Sequence, residues 1–371
     1  MTLSIFLKKE LKKLNQIENK SIKKILIVAG RTSFSKSGAQ KLLEKSLKNK
    51  EIKLYFKKNY LPTIKELNLI IKNRNTFKPD LIIAVGGGSV IDLAKISNLV
   101  WADNQLQKNV QKNNLNKIKK KYCKLIVLPT TAGSGAETTS GAVIYIKGIK
   151  YSIDSSYVKP DVYVLHPNLH KNIDRKNRAS SGLDAISQAL ESLISMKSNK
   201  KSVFFAKKSL KLSFKYFLNS LKKPTDFNLF QMSLAANYAG KAIDISKTTA
   251  PHAISYYFTE KHNVSHGHAV FLTLIKFFEY NFLNLNKSNS DFNLAHRINI
   301  MIKLSNSKNF FEFLVFLKRI KKETKLEFNF SKLGINLQKN IHKILKEVNP
   351  ARLANNPVNL DLNKVKKILL N

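Results

Sequence analysis

Four apolar runs of strand length govern the first half of this chain: Lys24–Ala29, Ile52–Phe56, Leu81–Val85 and Lys124–Leu128. Each run is continuous and does not alternate with polar residues, which is the pattern of strands buried on both faces of a parallel sheet. Parallel neighbours cannot be joined by a tight turn and need a crossover, usually a helix. Gly38–Leu47, Thr63–Lys72 and Val90–Leu99 lie between the runs and carry helical spacing. The first half therefore reads as an α/β, doubly wound parallel sheet. A short hairpin is expected around Gly141–Tyr151, turning at Lys147-Gly148.

From about Asn177 onward the strand signals fade. Long periodic segments follow at Ala179–Met196, Ser202–Leu221, Leu229–Ile243, His268–Phe282, Phe310–Ile320 and Leu337–Val348, so an all-helical C-terminal domain is expected. The chain has 371 residues, 43% of them apolar, enough for two cores. The expected division is 1–172 for the α/β domain and 173–371 for the helical one.

The net charge is +41, from 65 Lys and Arg against 24 Asp and Glu. The lysines are spread along the whole chain among Asn and Ile, with no aromatic-interleaved basic stripe. A specific nucleic-acid partner is therefore not expected, whereas small anions are drawn in electrostatically. A single cysteine, Cys123, rules out a disulfide framework or a cysteine metal cluster within one chain. The apolar run at Met1–Leu7 is too short for a signal peptide, and no segment reaches transmembrane length. The expectation is a cytoplasmic protein without a membrane partner; a homo-oligomer is compatible with the sequence.

Three constellations carry chemistry. In the first, Gly86, Gly87, Gly88 and Ser89 leave a strand and open a helix that continues to Asp92. Without side chains in the way, backbone N–H groups there can approach a pyrophosphate, helped by the positive end of the helix. In the second, Thr130, Thr131 and Ser134 lie in the hydroxyl- and glycine-rich stretch Thr130–Glu137, which also leaves a buried strand and is placed to line a nicotinamide and its ribose. In the third, four of the eight histidines fall between His252 and His268, while Asp184 and Gln188 share a helix face upstream at i, i+4. A carboxylate with two imidazoles and an open position suits a catalytic Fe²⁺ or Zn²⁺.

Together these stretches resemble the iron-containing (group III) alcohol dehydrogenases over nearly the whole chain. The resemblance implies the fold shared with dehydroquinate synthase: a Rossmann-like half followed by a helical metal-binding half. It assigns Gly86–Asp92 to the pyrophosphate loop, Thr130–Glu137 to a second cofactor loop, and Asp184, His252 and His266 to the metal. Two positions depart from the family. Gln188 stands where many relatives carry a further histidine ligand, so either Gln188 joins the metal as a weak ligand or the site uses three protein ligands and water; Tyr256 stands where many carry an additional active-site histidine. Lys241 and Lys247, with SHGHAV at Ser265–Val270 and ARLANNPV at Ala351–Val358, look like the phosphonoacetaldehyde reductase branch. Lys241, Lys247 and Tyr256 are accordingly expected at the substrate.

The implied activity is NAD(P)H-dependent reduction of a small anionic aldehyde to a primary alcohol, phosphonoacetaldehyde to 2-hydroxyethylphosphonate above all. The metal would act as a Lewis acid, with His268 in the proton relay. The first strand ends Gly30-Arg31-Thr32-Ser33, with no acid to repel a 2′-phosphate, so Gly30, Arg31 and Ser33 are expected at the cofactor and NADP(H) is expected to serve beside NAD(H). Three rivals remain: a general alcohol dehydrogenase for uncharged substrates, a dehydroquinate synthase-type lyase, and a basic nucleic-acid-binding protein. Asp184 argues against the second, whose metal pattern normally begins with glutamate.

Overall fold

The structure, a computed structural model, describes residues 3–100 and 105–371. Among the described residues, seven strands lie in the first half: β1 Lys24–Gly30, β2 Glu51–Lys57, β3 Leu81–Gly86, β4 Lys124–Pro129, β5 Gly141–Ile146, β6 Ile149–Asp154 and β7 Val162–Tyr163. The helices there are α1 Leu3–Lys12, α2 Arg31–Lys36, α3 Ala39–Leu47, α4 Ile64–Phe77, α5 Gly88–Ser97, α6 Leu106–Gln111 and α7 Asn168–Lys171. The second half is helical throughout: α8 Arg175–Ile194, α9 Lys200–Lys222, α10 Asp226–Ser246, α11 Ala250–His262, α12 His266–Leu283, α13 Leu294–Leu304, α14 Phe310–Glu323, α15 Leu337–Lys346, α16 Pro350–Leu353 and α17 Leu362–Leu370.

The chain divides into two compact units. The first holds the described residues up to Thr131, with Gly135–Ile173 and Thr225–Ser233; the second holds Ala132–Ser134, Asp174–Pro224 and Leu234–Asn371.

In the first unit the parallel sheet runs β2-β1-β3-β4-β7. The four apolar runs of the sequence are its four long strands, and every residue of β3 is buried. One apolar cluster fills each side of the sheet, with Leu26, Val28, Ile82 and Val127 in one and Ile25, Ile27, Ile83 and Ile126 in the other. Alternate side chains thus enter opposite layers, which is why the runs are continuous. The chain leaves β1 for β2 on one side and reaches β3 on the other, so strand order reverses between β1 and β3. In open α/β sheets the crevice beyond the carboxyl ends of two such strands is the ligand-binding position. The expected hairpin is β5–β6, and Lys147 (φ 48°) and Gly148 (φ 80°) both adopt the left-handed conformation of a two-residue turn.

In the second unit α8 is the central element, buried almost continuously from Ala179 to Ile194 and packed by α9, α12 and α13. Asp174 starts it, its side chain accepting from the Asn177 amide at 2.8 Å. Four of the helices described here, α11, α13, α16 and α17, were not legible as periodic segments. α11 buries every residue from Ala250 to Thr259 and so shows no polar stripe, while α16 and α17 have only four and nine residues. Among the described residues no helix is long and apolar enough to cross a membrane.

Candidate metal and cofactor site

Three helices bring the metal-type side chains together. Asp184 comes from the middle of α8, His252 from the first turn of α11, and His266 is the first residue of α12. One ligand atom from each lies within 4.8 Å of the others. Asp184 and His252 are buried, with His252 Nε2 3.4 Å from Asp184 Oδ1. The approach of α12 to α8 depends on Gly267: a Cβ there would stand 2.0 Å from the Ser180 carbonyl oxygen and 2.6 Å from Asp184 N. The small residue in the SHGHAV stretch is therefore what lets His266 reach Asp184.

Burial works against charge on Asp184, but the hydrogen bond from His252 and the nearby imidazoles outweigh it and hold the carboxyl below its usual range. Burial would likewise lower the His252 pKa, yet Glu191 and Asp184 overcome this and raise it to about 9. A proton or a cation is thus favoured between these groups.

Gln188 follows Asp184 by one helical turn and is buried. Its Nε2 lies 3.5 Å from the Ser134 carbonyl, while its Oε1 is buried with no hydrogen-bond partner. An orphaned acceptor costs about 1–3 kcal/mol, and a cation at the Asp184–His252–His266 cluster is the kind of group that would satisfy it. The donor set of two imidazole nitrogens and carboxylate oxygen fits Fe²⁺ or Zn²⁺. Tyr256 is buried and lies nearly parallel to the His266 ring, with centroids 6.2 Å apart and an 11° interplanar angle.

His268 does not join the cluster. Two residues along α12 is a rotation of about 200° from His266, and the His268 Nε2 is hydrogen-bonded to the Glu327 carbonyl while its ring packs on Phe328. Burial lowers its pKa. The expected place of His268 in a proton relay through water is neither required nor removed by this contact. Lys241 lies over the rings of Phe205 and Tyr238, at 5.8 and 5.5 Å from their centres. Lys247, with a left-handed backbone (φ 58°), follows the end of α10.

In the first unit, Gly86 ends β3 and Gly87 is the N-cap of α5, where no side chain caps the helix and the Val90 amide turns back to the Gly87 carbonyl at 3.0 Å; a helix start without a side-chain cap is a position at which an anion can be received. A Cβ at Gly87 would press on Thr131 at 3.3 Å, and the Thr130 amide donates to the Gly86 carbonyl at 3.0 Å. The two glycine-bearing loops are thus neighbours at the carboxyl ends of β3 and β4. Gly30 ends β1 beside them, its Cβ position 3.8 Å from Val90, and Ser33 lies on the same turn. Arg31 is exposed, its guanidinium 5.4 Å from the Phe56 ring centre. This glycine cradle at the point where strand order reverses fits a dinucleotide pyrophosphate. Ser134 and its neighbours Ala132 and Gly133 are part of the second unit, where Gly133 packs on Ser181 so closely that a Cβ would lie 2.9 Å from its carbonyl oxygen.

Asp92 has a different setting. Burial pushes its carboxyl up to about 6 against the pull of Lys95, and it accepts from the Val143 amide of β5. Lys95 itself was not singled out from sequence. It is fully buried, and its ammonium donates to the carbonyls of Ala136, Thr139 and Gly141 at 3.0, 2.8 and 2.5 Å and to the Thr139 hydroxyl. A lone lysine inside the apolar helix VIDLAKIS was the available signal. Glu191 was also missed, although Asp184, Gln188 and Glu191 recur at i, i+4, i+7, three polar residues on one face of a buried helix.

Residues 2–167 match the family described as iron-containing alcohol dehydrogenase, and residues 178–371 match the C-terminal part of the Fe-containing alcohol dehydrogenase family. Among curated proteins, 4-hydroxybutyrate dehydrogenase from Clostridium kluyveri is 33% identical over 223 residues, covering 59% of this chain and 59% of that protein. 1-Propanol dehydrogenase from Citrobacter freundii is 29% identical, covering 59% of this chain and 56% of its own length. Phosphonoacetaldehyde reductase from Streptomyces viridochromogenes is 28% identical, covering 57% and 56%. The chain thus spans less than two thirds of the length of these relatives. A crystal structure of sulfoacetaldehyde reductase from Bifidobacterium kashiwanohense in complex with NAD+ superposes with a TM-score of 0.86 at 23% identity, covering 97% of this chain and 93% of that one, a likeness of fold. With the two family matches together spanning nearly all of its length, the chain belongs to the iron-containing alcohol dehydrogenase family.

Proposed function

We propose that the protein is a metal- and nicotinamide-dependent reductase that converts a small aldehyde bearing an anionic group into a primary alcohol, with phosphonoacetaldehyde as the leading substrate. The observation that carries this reading is the convergence of Asp184, His252 and His266 within 4.8 Å. When bound, the metal supplies Lewis acidity at the carbonyl oxygen and the nicotinamide supplies the hydride. Asp184, His252 and His266 hold the metal, and Gln188 adds its unpaired amide oxygen as a fourth donor. Gly86, Gly87, Gly88 and Ser89 cradle the pyrophosphate. Gly30, Arg31 and Ser33 meet the adenosine ribose, and Thr130, Thr131 and Ser134 face its nicotinamide end. Tyr256 shields the His266 ring and borders the substrate.

Support for an anionic substrate comes from the relatives: 4-hydroxybutyrate, phosphonoacetaldehyde and sulfoacetaldehyde each set a hydroxyl or aldehyde carbon near an acidic group. The chain's charge of +41 favours capture of such a molecule. Lys241 and Lys247 remain the cations proposed for it on sequence grounds. A cytoplasmic location goes with this reading. The test is metal analysis of the purified protein, followed by rates with phosphonoacetaldehyde, sulfoacetaldehyde and propanal, each with NADH and NADPH. Higher kcat/KM for the two anions supports the proposal. A preference for propanal, the aldehyde of 1-propanol, replaces it with the uncharged-substrate reading; absence of metal and of turnover refutes both.

A further inference from the structure

We infer that Glu191 is a positioning residue of the metal centre, holding His252 in the tautomer and orientation that can ligate; this rests on reading Asp184, His252 and His266 as ligands. Glu191 lies on α8 two turns beyond Asp184 and is fully buried. One carboxylate oxygen, Oε2, is hydrogen-bonded to His252 Nδ1. The other, Oε1, accepts from the Thr249 amide at 2.9 Å, the Thr249 hydroxyl at 3.0 Å and the His252 amide at 3.4 Å. Four donors thus converge on a single side chain.

Each contact has a consequence for the ring. A carboxylate accepts only, so Nδ1 must carry the hydrogen, and the lone pair of the neutral imidazole is left on Nε2, the atom turned toward Asp184. The same carboxylate starts the helix that carries His252. Thr249 occupies the N-cap position of α11 without a side-chain cap bond of its own, and Glu191 Oε1 takes the amides at that end instead. Ring rotation and helix origin are therefore set by one group. Below it the segment 246–249 is fastened to its surroundings: the hydroxyls of Ser246 and Ser192 are 2.8 Å apart, and Asn355 Nδ2 donates to the carbonyls of Ser246 and Thr248 at 2.9 Å each. Glu191 itself is not a ligand in this geometry, because it sits on the Nδ1 side of the ring while Asp184 and the cluster lie on the Nε2 side. Outer carboxylates of this kind orient metal-binding imidazoles, and their loss weakens metal binding by about 10- to 100-fold.

The experiment compares wild type with Glu191→Gln, measuring metal affinity by chelator competition and recording the visible spectrum of the Co²⁺-substituted protein. Helix content and NADH binding report whether the variant is folded. The expected result is a folded Glu191→Gln protein with metal affinity reduced about 10- to 100-fold and shifted Co²⁺ bands, a change that loss of a helix cap alone does not produce. Unchanged affinity and spectrum, even with lowered stability, overturn the inference and leave the metal reading intact. A wild type that takes up no metal removes both. Should Glu191→Gln not fold, zinc-loaded wild type with ¹⁵N-labelled histidine decides: a slowly exchanging Nδ1 proton on His252 supports the assignment, and its absence overturns it.

Discussion

Gly267→Ala is the substitution on which two effects of opposite sign meet. In a helix, alanine is favoured over glycine by up to about 1 kcal/mol. Here the new Cβ would stand 2.0 Å from the Ser180 carbonyl oxygen and 2.6 Å from both N and Cβ of Asp184. Those neighbours are mainly backbone and cannot swing aside, so α12 must draw back from α8 by about 1 Å, at an overpacking cost of about 1–3 kcal/mol. The clash exceeds the propensity gain, and the net loss should be about 1–2 kcal/mol. In a unit of this size that is a fall in Tm of several degrees, at about 2–4 °C per kcal/mol. The effect on metal is larger. His266 is the adjacent residue, and metal–ligand distances tolerate only about 0.2 Å, so the same retreat takes its ring out of range of an ion held by Asp184 and His252. Thermal melts of the metal-free protein and metal retention after dialysis against a mild chelator test both parts. A Gly267→Ala protein that melts no lower than wild type and keeps its metal would refute the close approach of the two helices.

Lys95→Met removes the buried ammonium that gathers the carbonyls of Ala136, Thr139 and Gly141. It should raise the KM for the dinucleotide while leaving metal content unchanged, and equal loss of both would show that the lysine serves the fold as a whole. In the metal-free protein His252 has its pKa raised to about 9 by Glu191 and Asp184 over the opposing effect of burial. Its proton therefore stabilises the metal-free fold fully below about pH 6.5, the unfolded value, and that contribution is lost as pH rises through 9. Because metal must displace that proton, affinity measured by chelator competition should rise about tenfold per pH unit from pH 7 toward 9; a flat profile argues against the pairing. Burial pushes the Cys123 thiol up to about 12, so iodoacetamide at pH 8 should label it only after unfolding, and rapid labelling of native protein would contradict that. Arg31→Ala should raise the KM for NADPH about tenfold or more, the worth of a charge-assisted hydrogen bond, with NADH little affected; equal effects on the two cofactors would place Arg31 away from the 2′-phosphate.

The sheet was legible because its strands are buried on both faces. Continuous runs such as Leu81–Val85 have few other uses, and glycines at the carboxyl end of such a strand mark where a backbone must approach closely. The amphipathic helices α9, α14 and α15 could be read for the complementary reason, since each keeps a polar face. α11 could not. Its first ten residues are all buried, so periodicity, which reports the boundary between core and water, had nothing to report. The helix that carries His252 was therefore invisible as a helix, although its histidine was conspicuous as a residue.

The same limit separates the ligands from the groups around them. Asp184, His252 and His266 stand out because buried carboxylates and imidazoles are rare and their types suit a metal. Their supports do not stand out by type. Gly267 matters through the carbonyl it approaches, and Lys95 through three carbonyls more than forty positions away. His268 shows the converse: it looked catalytic from its neighbours in sequence, yet α12 turns it to the Glu327 carbonyl. Two histidines separated by one glycine can share a site on a strand, where side chains repeat every second residue, but not on a helix, where that spacing opposes them. The start of α12 at His266 agrees with the family motif, which had already given His266 and not His268 to the metal. With that start, His266 faces Asp184 and His268 cannot, which is why the metal cluster contains one histidine of the pair.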